Sequence, residues 1–176
     1  MAWVVLVLRL PTEPARHRVA CWRELRRAGA VPLAAGTWTL PDLPVVLDVV
    51  DRVAALVERA DGVMVRLRSA GWDDSDEEAM AATFAAARDD EWREFVADGA
   101  AYLEELAKEH RTQKYTLAEL EEEEQSLDRL RRWYRGIRAR DLLGSTSRIE
   151  ADARLKECAA AFEEFAEAVY ARIGEP

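Results

Sequence analysis

WVVLVLRLPTEPARHRVACWRELRRAGAVPLAAGTWTLP, residues 3–41, is the stretch whose reading decides the fold. Residues 3–8 are wholly apolar and end at Arg9, the pattern of a strand covered on both faces. Pro11 and Pro14 forbid its continuation. Proline is tolerated in a first helical turn, so a helix is expected to start near Pro14. Ala15, Val19, Trp22 and Leu25 recur at helical spacing and form its expected inner face. Gly29 suits the helix stop. Residues 31–33 and 37–40 read as two short strands with Ala35-Gly36 as the turn.

Outward from that stretch, Pro41 ends the third strand, Asp42 is placed to cap a second helix, and Pro44 fits its first turn. Val46, Val49, Val50, Val53, Leu56 and Val57 supply an apolar face, and Gly62 is expected to stop the helix. Val63, Val65 and Leu67 alternate with Met64, Arg66 and Arg68, which predicts a fourth strand. The order β-α-β-β-α-β predicts a ferredoxin-like domain over residues 1–72, an antiparallel sheet with both helices on one face.

After Gly71 the pattern changes. GWDDSDEE, residues 71–78, reads as a polar hinge. Three long helical segments follow, each opened by an S/T-x-x-E capping box: Ser75 with Glu78, Thr116 with Glu119, and Ser147 with Glu150. Their apolar residues recur at three and four. The first carries Met80, Phe84, Trp92, Phe95, Tyr102 and Leu106. The second carries Leu117, Leu120, Leu127, Leu130, Tyr134 and Ile137. The third carries Ile149, Leu155, Phe162, Phe165, Val169 and Ile173. Residues 73–176 are thus expected to form an antiparallel three-helix bundle or coiled coil, and the whole chain to be α+β.

The 176 residues carry a formal net charge of −9. The charge is uneven: residues 1–75 hold ten basic against nine acidic residues, and the rest hold fifteen against twenty-five. An acidic surface repels nucleic acid at long range, so any contact with DNA needs a local basic patch. One candidate lies on the first helix. Arg16, Arg23 and Arg27 fall within about 40° of one another, with His17 beside them and Arg9 at the strand end. That grouping reads as a DNA- or anion-binding surface, for a phosphate backbone or an oxyanion such as chromate or sulfate. It reads equally as a solvated face with Glu13 and Glu24 as local partners. A second basic patch, Arg131, Arg132, Arg135 and Arg138, lies in RLRRWYRGIRARD, residues 129–141, with Trp133 and Tyr134 interleaved. Basic residues with aromatics suit nucleic acid. The acidic run just upstream also suits a charge network within the chain or across a dimer.

Among the glutamates of residues 119–124, Glu124 falls on the Leu117/Leu120/Leu127 stripe and is expected to need a cationic partner such as Arg131. His110 is the one histidine of the helical region, so no carboxylate–histidine metal set is expected. With His17 as the other, no nucleophile–base arrangement and no glycine-rich phosphate loop stand out, and an enzyme is not expected. Cys21 and Cys158 read as reduced, buried thiols of a cytoplasmic protein without cofactor. AWVVLVL is too short to span a membrane.

LPTEP at 10–14, the AG-W-LP hairpin at 35–41, AELEEEE at 118–124 and IRARDLLG at 137–144 together resemble the N-terminal domain of chromate-resistance regulators of the ChrB kind. The first half also resembles the middle domain of PaaX-type repressors and, more distantly, the small CRISPR-associated integration and nuclease protein. These resemblances imply a ferredoxin-like fold that tends to form homodimers. They also imply a role in transcriptional control of, or resistance to, an oxyanion such as chromate. Full-length ChrB members carry a C-terminal domain regarded as chromate-responsive, without a counterpart in residues 1–176. The CRISPR-associated nucleases hold a metal on an acidic residue at the end of the first strand. Arg9 and Leu10 stand there instead, so nuclease activity is not carried over.

Overall fold

The computed structural model describes residues 1–68 and 73–174. In chain order the elements are β1 (Trp3–Arg9), α1 (Ala15–Arg27), β2 (Val31–Ala34), β3 (Thr37–Pro41), α2 (Pro44–Glu58), β4 (Val63–Arg68), α3 (Asp74–Thr112), α4 (Leu117–Arg140) and α5 (Arg148–Gly174). The chain is α+β, as expected. It divides into two compact units, residues 1–87 with 139–143, and residues 88–138 with 144–176.

In the first unit the sheet order is β2-β3-β1-β4, with every pairing antiparallel. Each βαβ half therefore receives a strand of the other half between its own two strands, which is the split βαβ arrangement. Even-numbered residues of β1 face the helices: Val4 and Leu6 are buried with Leu40 of β3 and with Val46, Val50, Val53 and Val57 of α2. Each of these fully buried aliphatic side chains contributes about 1.5–3 kcal/mol. On the opposite face Trp3 and Val31 pack with Phe84 from the first turns of α3, and the Trp3 and Phe84 rings lie 5.8 Å apart.

The β2–β3 turn needs its glycine. Gly36 sits at φ +72°, and a Cβ there would lie 2.5 Å from the Leu8 carbonyl oxygen. The Leu8 N–H donates to the Gly36 carbonyl at 2.7 Å, which locks the turn against the end of β1. Gly29, at φ 81°, ends α1, and the Ala30 N–H behind it donates to the Leu25 carbonyl at 2.9 Å. After α2 the left-handed residue is Asp61, at φ 53°, with Gly62 following it.

The face of α1 differs from expectation. Cys21 and Leu25 are its buried residues, whereas Val19 is 41 % and Trp22 52 % exposed. The four valines of α2 occupy the sheet, so α1 seats only its Cys21/Leu25 edge. Asp42 does not cap α2 either. The N-cap is Leu43, without a side-chain hydrogen bond, and Asp42 pairs with Arg68 at 3.4 Å.

The GWDDSDEE hinge is also revised. Gly71 and Trp72 lie outside the described residues, and Asp74 to Glu78 already belong to α3. Asp73 caps that helix: its Oδ1 accepts from the Asp76 N–H at 3.0 Å and the Ser75 hydroxyl at 2.6 Å. A carboxylate suits the positive end of the helix better than the expected Ser75 hydroxyl. Thr116 caps α4 as expected, accepting from the Glu119 N–H at 3.2 Å. Ser147 precedes α5, but its hydroxyl donates to Asp89 at 2.9 Å rather than completing a box with Glu150.

In the second unit α4 runs antiparallel to both α3 and α5. Tyr102 meets Glu123 while Trp92 meets Tyr134, and Gly99 meets Cys158. The core is Trp92, Phe95, Tyr102, Leu106, Leu120, Leu127, Leu130, Ile137, Ala151, Cys158, Phe165 and Val169. Leu117, Ile149 and Ile173, expected on the apolar stripes, are exposed because they fall in terminal turns.

Candidate functional site

The first helix was expected to carry the site, and it carries two different surfaces. Arg16 and Arg23 are exposed on one face of α1 and form no ion pair among the described residues. Arg27, at the end of the same stripe, approaches Glu24 at 3.6 Å. Arg52 of α2 also reaches Glu24, at 3.2 Å, so that end of the stripe is partly neutralised. Helix geometry separates Arg16 from Arg27 by about 16 Å along the axis, so the stripe is a track and not a pocket. His17 is half-buried on the same helix.

The second surface is concave. A cleft of about 570 Å³ opens between α1, the end of β1 and the β2–β3 turn. Ala15, Val19, Trp22 and Leu25 all line it, so the stripe read from sequence as a core face is the wall of an open cleft. Leu8, Leu10 and Trp38 supply the other wall. Its charged lining residues are Arg9 and Arg18. Arg16 and His17 do not line it, so the expected grouping of Arg9, Arg16 and His17 is not gathered in this cleft. Arg18 was missed by sequence reasoning. It falls between Trp22 and Leu25 on the helical wheel, inside the apolar stripe, and that position was the available signal.

Cys21 lines the cleft too, as a buried free thiol whose pKa is pushed up by burial, against the field of Arg59.

The second basic patch lies on α4. Arg131, Arg135 and Arg138 share a face within about 60°, with Arg132 beside it. Arg131 pairs with Asp128 at 3.3 Å, whereas Arg132, Arg135 and Arg138 form no ion pair among the described residues. The helix places acid early and base late, the order its dipole favours.

The buried carboxylate of α4 is Glu123, not Glu124. Glu123 is 5 % exposed while Glu124 faces solvent. The register is one residue off the expected stripe because Leu120, Leu127 and Leu130, not Leu117, define the buried side. Burial, followed by the charges of Glu105, Glu122, Glu109 and Glu119, pushes the Glu123 carboxyl up to about 7. Among the described residues no group of three or more His, Cys, Asp or Glu is placed to hold a metal ion. No helix among them is long and apolar enough to cross a membrane.

Residues 18–176 match the family model described as Protein ChrB, N-terminal. Protein ChrB of Cupriavidus metallidurans is 32 % identical over 83 residues, covering 47 % of this chain and 26 % of that protein. The alignment thus spans about a quarter of the relative's length. No solved structure matches the chain significantly.

Proposed function

The chain belongs to the ChrB N-terminal family, a family associated with chromate resistance, and on that premise we propose that it is a non-catalytic, DNA-contacting regulatory module acting in the cytoplasm. The observation that carries this reading is the pair Arg16 and Arg23. Both are exposed on one face of α1 and lack an ion pair among the described residues, in a chain whose net charge is −9. A guanidinium without a carboxylate partner reaches a phosphate without first breaking a contact, and its planar fork suits phosphate oxygens. His17 and Arg27 lie on the same helix, with Arg27 weakened as a contact by Glu24, while Arg9 lines the neighbouring cleft. Arg132, Arg135 and Arg138 on α4 serve as a secondary basic face.

A homodimer doubles this basic track about a two-fold axis. β4 is an edge of the sheet, and Val63, Val65 and Leu67 on its outer face are 46–58 % exposed. The opposite edge, β2, carries Pro32, which blunts strand addition. The β4 edge carries no proline, and its Arg66 and Arg68 are paired with Asp51 and Asp42, so in this reading it is the surface through which two copies pair.

Fluorescence anisotropy with DNA from the protein's own promoter, at two salt concentrations, tests the reading. Binding is expected to weaken steeply with salt. The combined variant Arg16→Glu and Arg23→Glu is expected to abolish specific binding. Unchanged binding by that variant overturns the assignment of α1 as the contact.

A further inference from the structure

The cleft beside α1 is chemically unlike the arginine track on the same helix. Its walls are apolar: Val19, Trp22, Leu25, Leu8, Leu10 and Trp38. Val19 and Trp22 are largely exposed there, so this apolar surface has no cover among the described residues. No Asp or Glu lines it. Arg18 stands in the middle of the α1 wall and forms no ion pair among the described residues. An apolar concavity of about 570 Å³ with one or two converging polar groups has the size and make-up of a small-molecule site.

We propose that this cleft binds a small amphipathic organic anion, an aromatic or medium-chain carboxylate, with its apolar body between the Trp22 and Trp38 walls and its carboxylate on Arg18. Charge complementarity selects the anion. Arg18 is a cation without a carboxylate among residues that offer no acceptor side chain, and a ligand carboxylate supplies a bidentate partner. The aromatic walls select an apolar body, since indoles contribute large contact areas and favour stacked or edge-on rings. A bare oxyanion such as chromate or sulfate gains nothing from such walls and loses hydration on entering them.

The site is preformed on one side. The reciprocal packing of Gly36 against Leu8 fixes the turn that forms part of the wall, so little ordering is left for the ligand to impose. The Cys21 thiol stays protonated through burial and adds no competing negative charge. The ligand site stands whether or not α1 contacts DNA.

Isothermal titration calorimetry of the full chain with 2-naphthoate and its neutral isostere 2-naphthamide tests this, with decanoate as the acyl probe. One-to-one binding of 2-naphthoate or decanoate is expected, with a dissociation constant on the order of 10–100 µM. 2-Naphthamide should bind on the order of tenfold more weakly. Arg18→Gln should erase that difference, and Arg9→Gln measures what the strand-end arginine adds. Arg18 is exposed and unpaired among the described residues, so the variant is expected to fold, and its melting curve checks this. Trp22→Ala should weaken all three probes together. Equal binding of naphthoate and naphthamide by the wild-type chain overturns the anion assignment. Failure of both carboxylates to bind, as when a peptide segment is the true occupant, overturns the small-molecule assignment. Displacement of bound naphthoate by millimolar sulfate at constant ionic strength would also overturn it in favour of an oxyanion site.

Discussion

The Cys158 thiol donates to the backbone carbonyl of Gly99 across 3.4 Å, where α5 packs against α3. That approach depends on the absence of a side chain at 99. A Cβ there would lie 2.5 Å from Cγ of Arg154, well inside contact distance.

Gly99→Ala is therefore expected to destabilise the helical unit by about 1–3 kcal/mol, although alanine is intrinsically the better helix former by about 1 kcal/mol. Urea denaturation checks the sign. Adding Arg154→Ala to Gly99→Ala should recover most of the loss, because it removes the carbon that Cβ would strike. A Gly99→Ala protein as stable as the parent would show that α3 and α5 can separate freely.

Glu123 supplies a pH dependence. Its folded-state carboxyl is pushed up to about 7, above the ordinary value of 4.5, first by burial and then by neighbouring glutamates. The folded state thus holds this proton more tightly than the unfolded one. The stabilisation is fully present below about pH 4.5 and is lost as pH rises through about 7. Glu123→Gln should raise the melting temperature by several degrees at pH 8, corresponding to about 1–3 kcal/mol, and change it little at pH 5. Equal shifts at the two pH values would mean that Glu123 is not the titrating group.

Asp89 clasps the turn before α5. It accepts hydrogen bonds from the hydroxyls of Ser145 and Ser147, and these hold its carboxyl below the usual carboxylate range. Here the sign is reversed: the stabilisation is present above about pH 4 and disappears as pH falls through the lowered folded value. Asp89→Ala should cost about 1–2 kcal/mol at pH 7, and Asp89→Asn somewhat less because it retains an acceptor. Chemical denaturation at pH 7 separates the two variants.

The β4 edge yields a test of association. Val65→Lys with Leu67→Lys should convert a dimer to a monomer in sedimentation equilibrium without altering the circular-dichroism spectrum, since both positions are exposed. An edge strand carrying lysines resists strand pairing. Identical molar masses for variant and parent would remove β4 as the dimer surface.

The order of strands and helices was legible because turn chemistry and hydrophobic period agreed along the chain. The proline pair at 11 and 14 separated β1 from α1, and the valine pattern of α2 matched its buried face. What remained hidden was where one amphipathic face ends. Ala15, Val19, Trp22 and Leu25 have the spacing of a core stripe, and periodicity alone does not distinguish a covered wall from an open one. Arg18 was passed over for the same reason, being an arginine inside a stripe assigned to the core. The choice of cap depended on long-range competition. Ser147 is a good local cap, yet Asp89, 58 positions earlier, accepts its hydroxyl. Glu123 and Glu124 differ by 100° on the helix, and counting Leu117, 60° away from Leu120, turns the centre of the stripe from the first towards the second.

Both sulfur atoms of cysteine in this chain are buried and uncombined. Burial holds Cys158 up to about 11 and raises Cys21 as well. At neutral pH the fraction of Cys158 present as thiolate is roughly one in ten thousand, and thiolate is the form that strong oxidants attack. A protein of a family associated with resistance to chromate, itself an oxidant, thus keeps its most oxidisable groups chemically silent. Alkylation of the native chain by iodoacetamide should be slow at pH 7 and become rapid only when the chain unfolds.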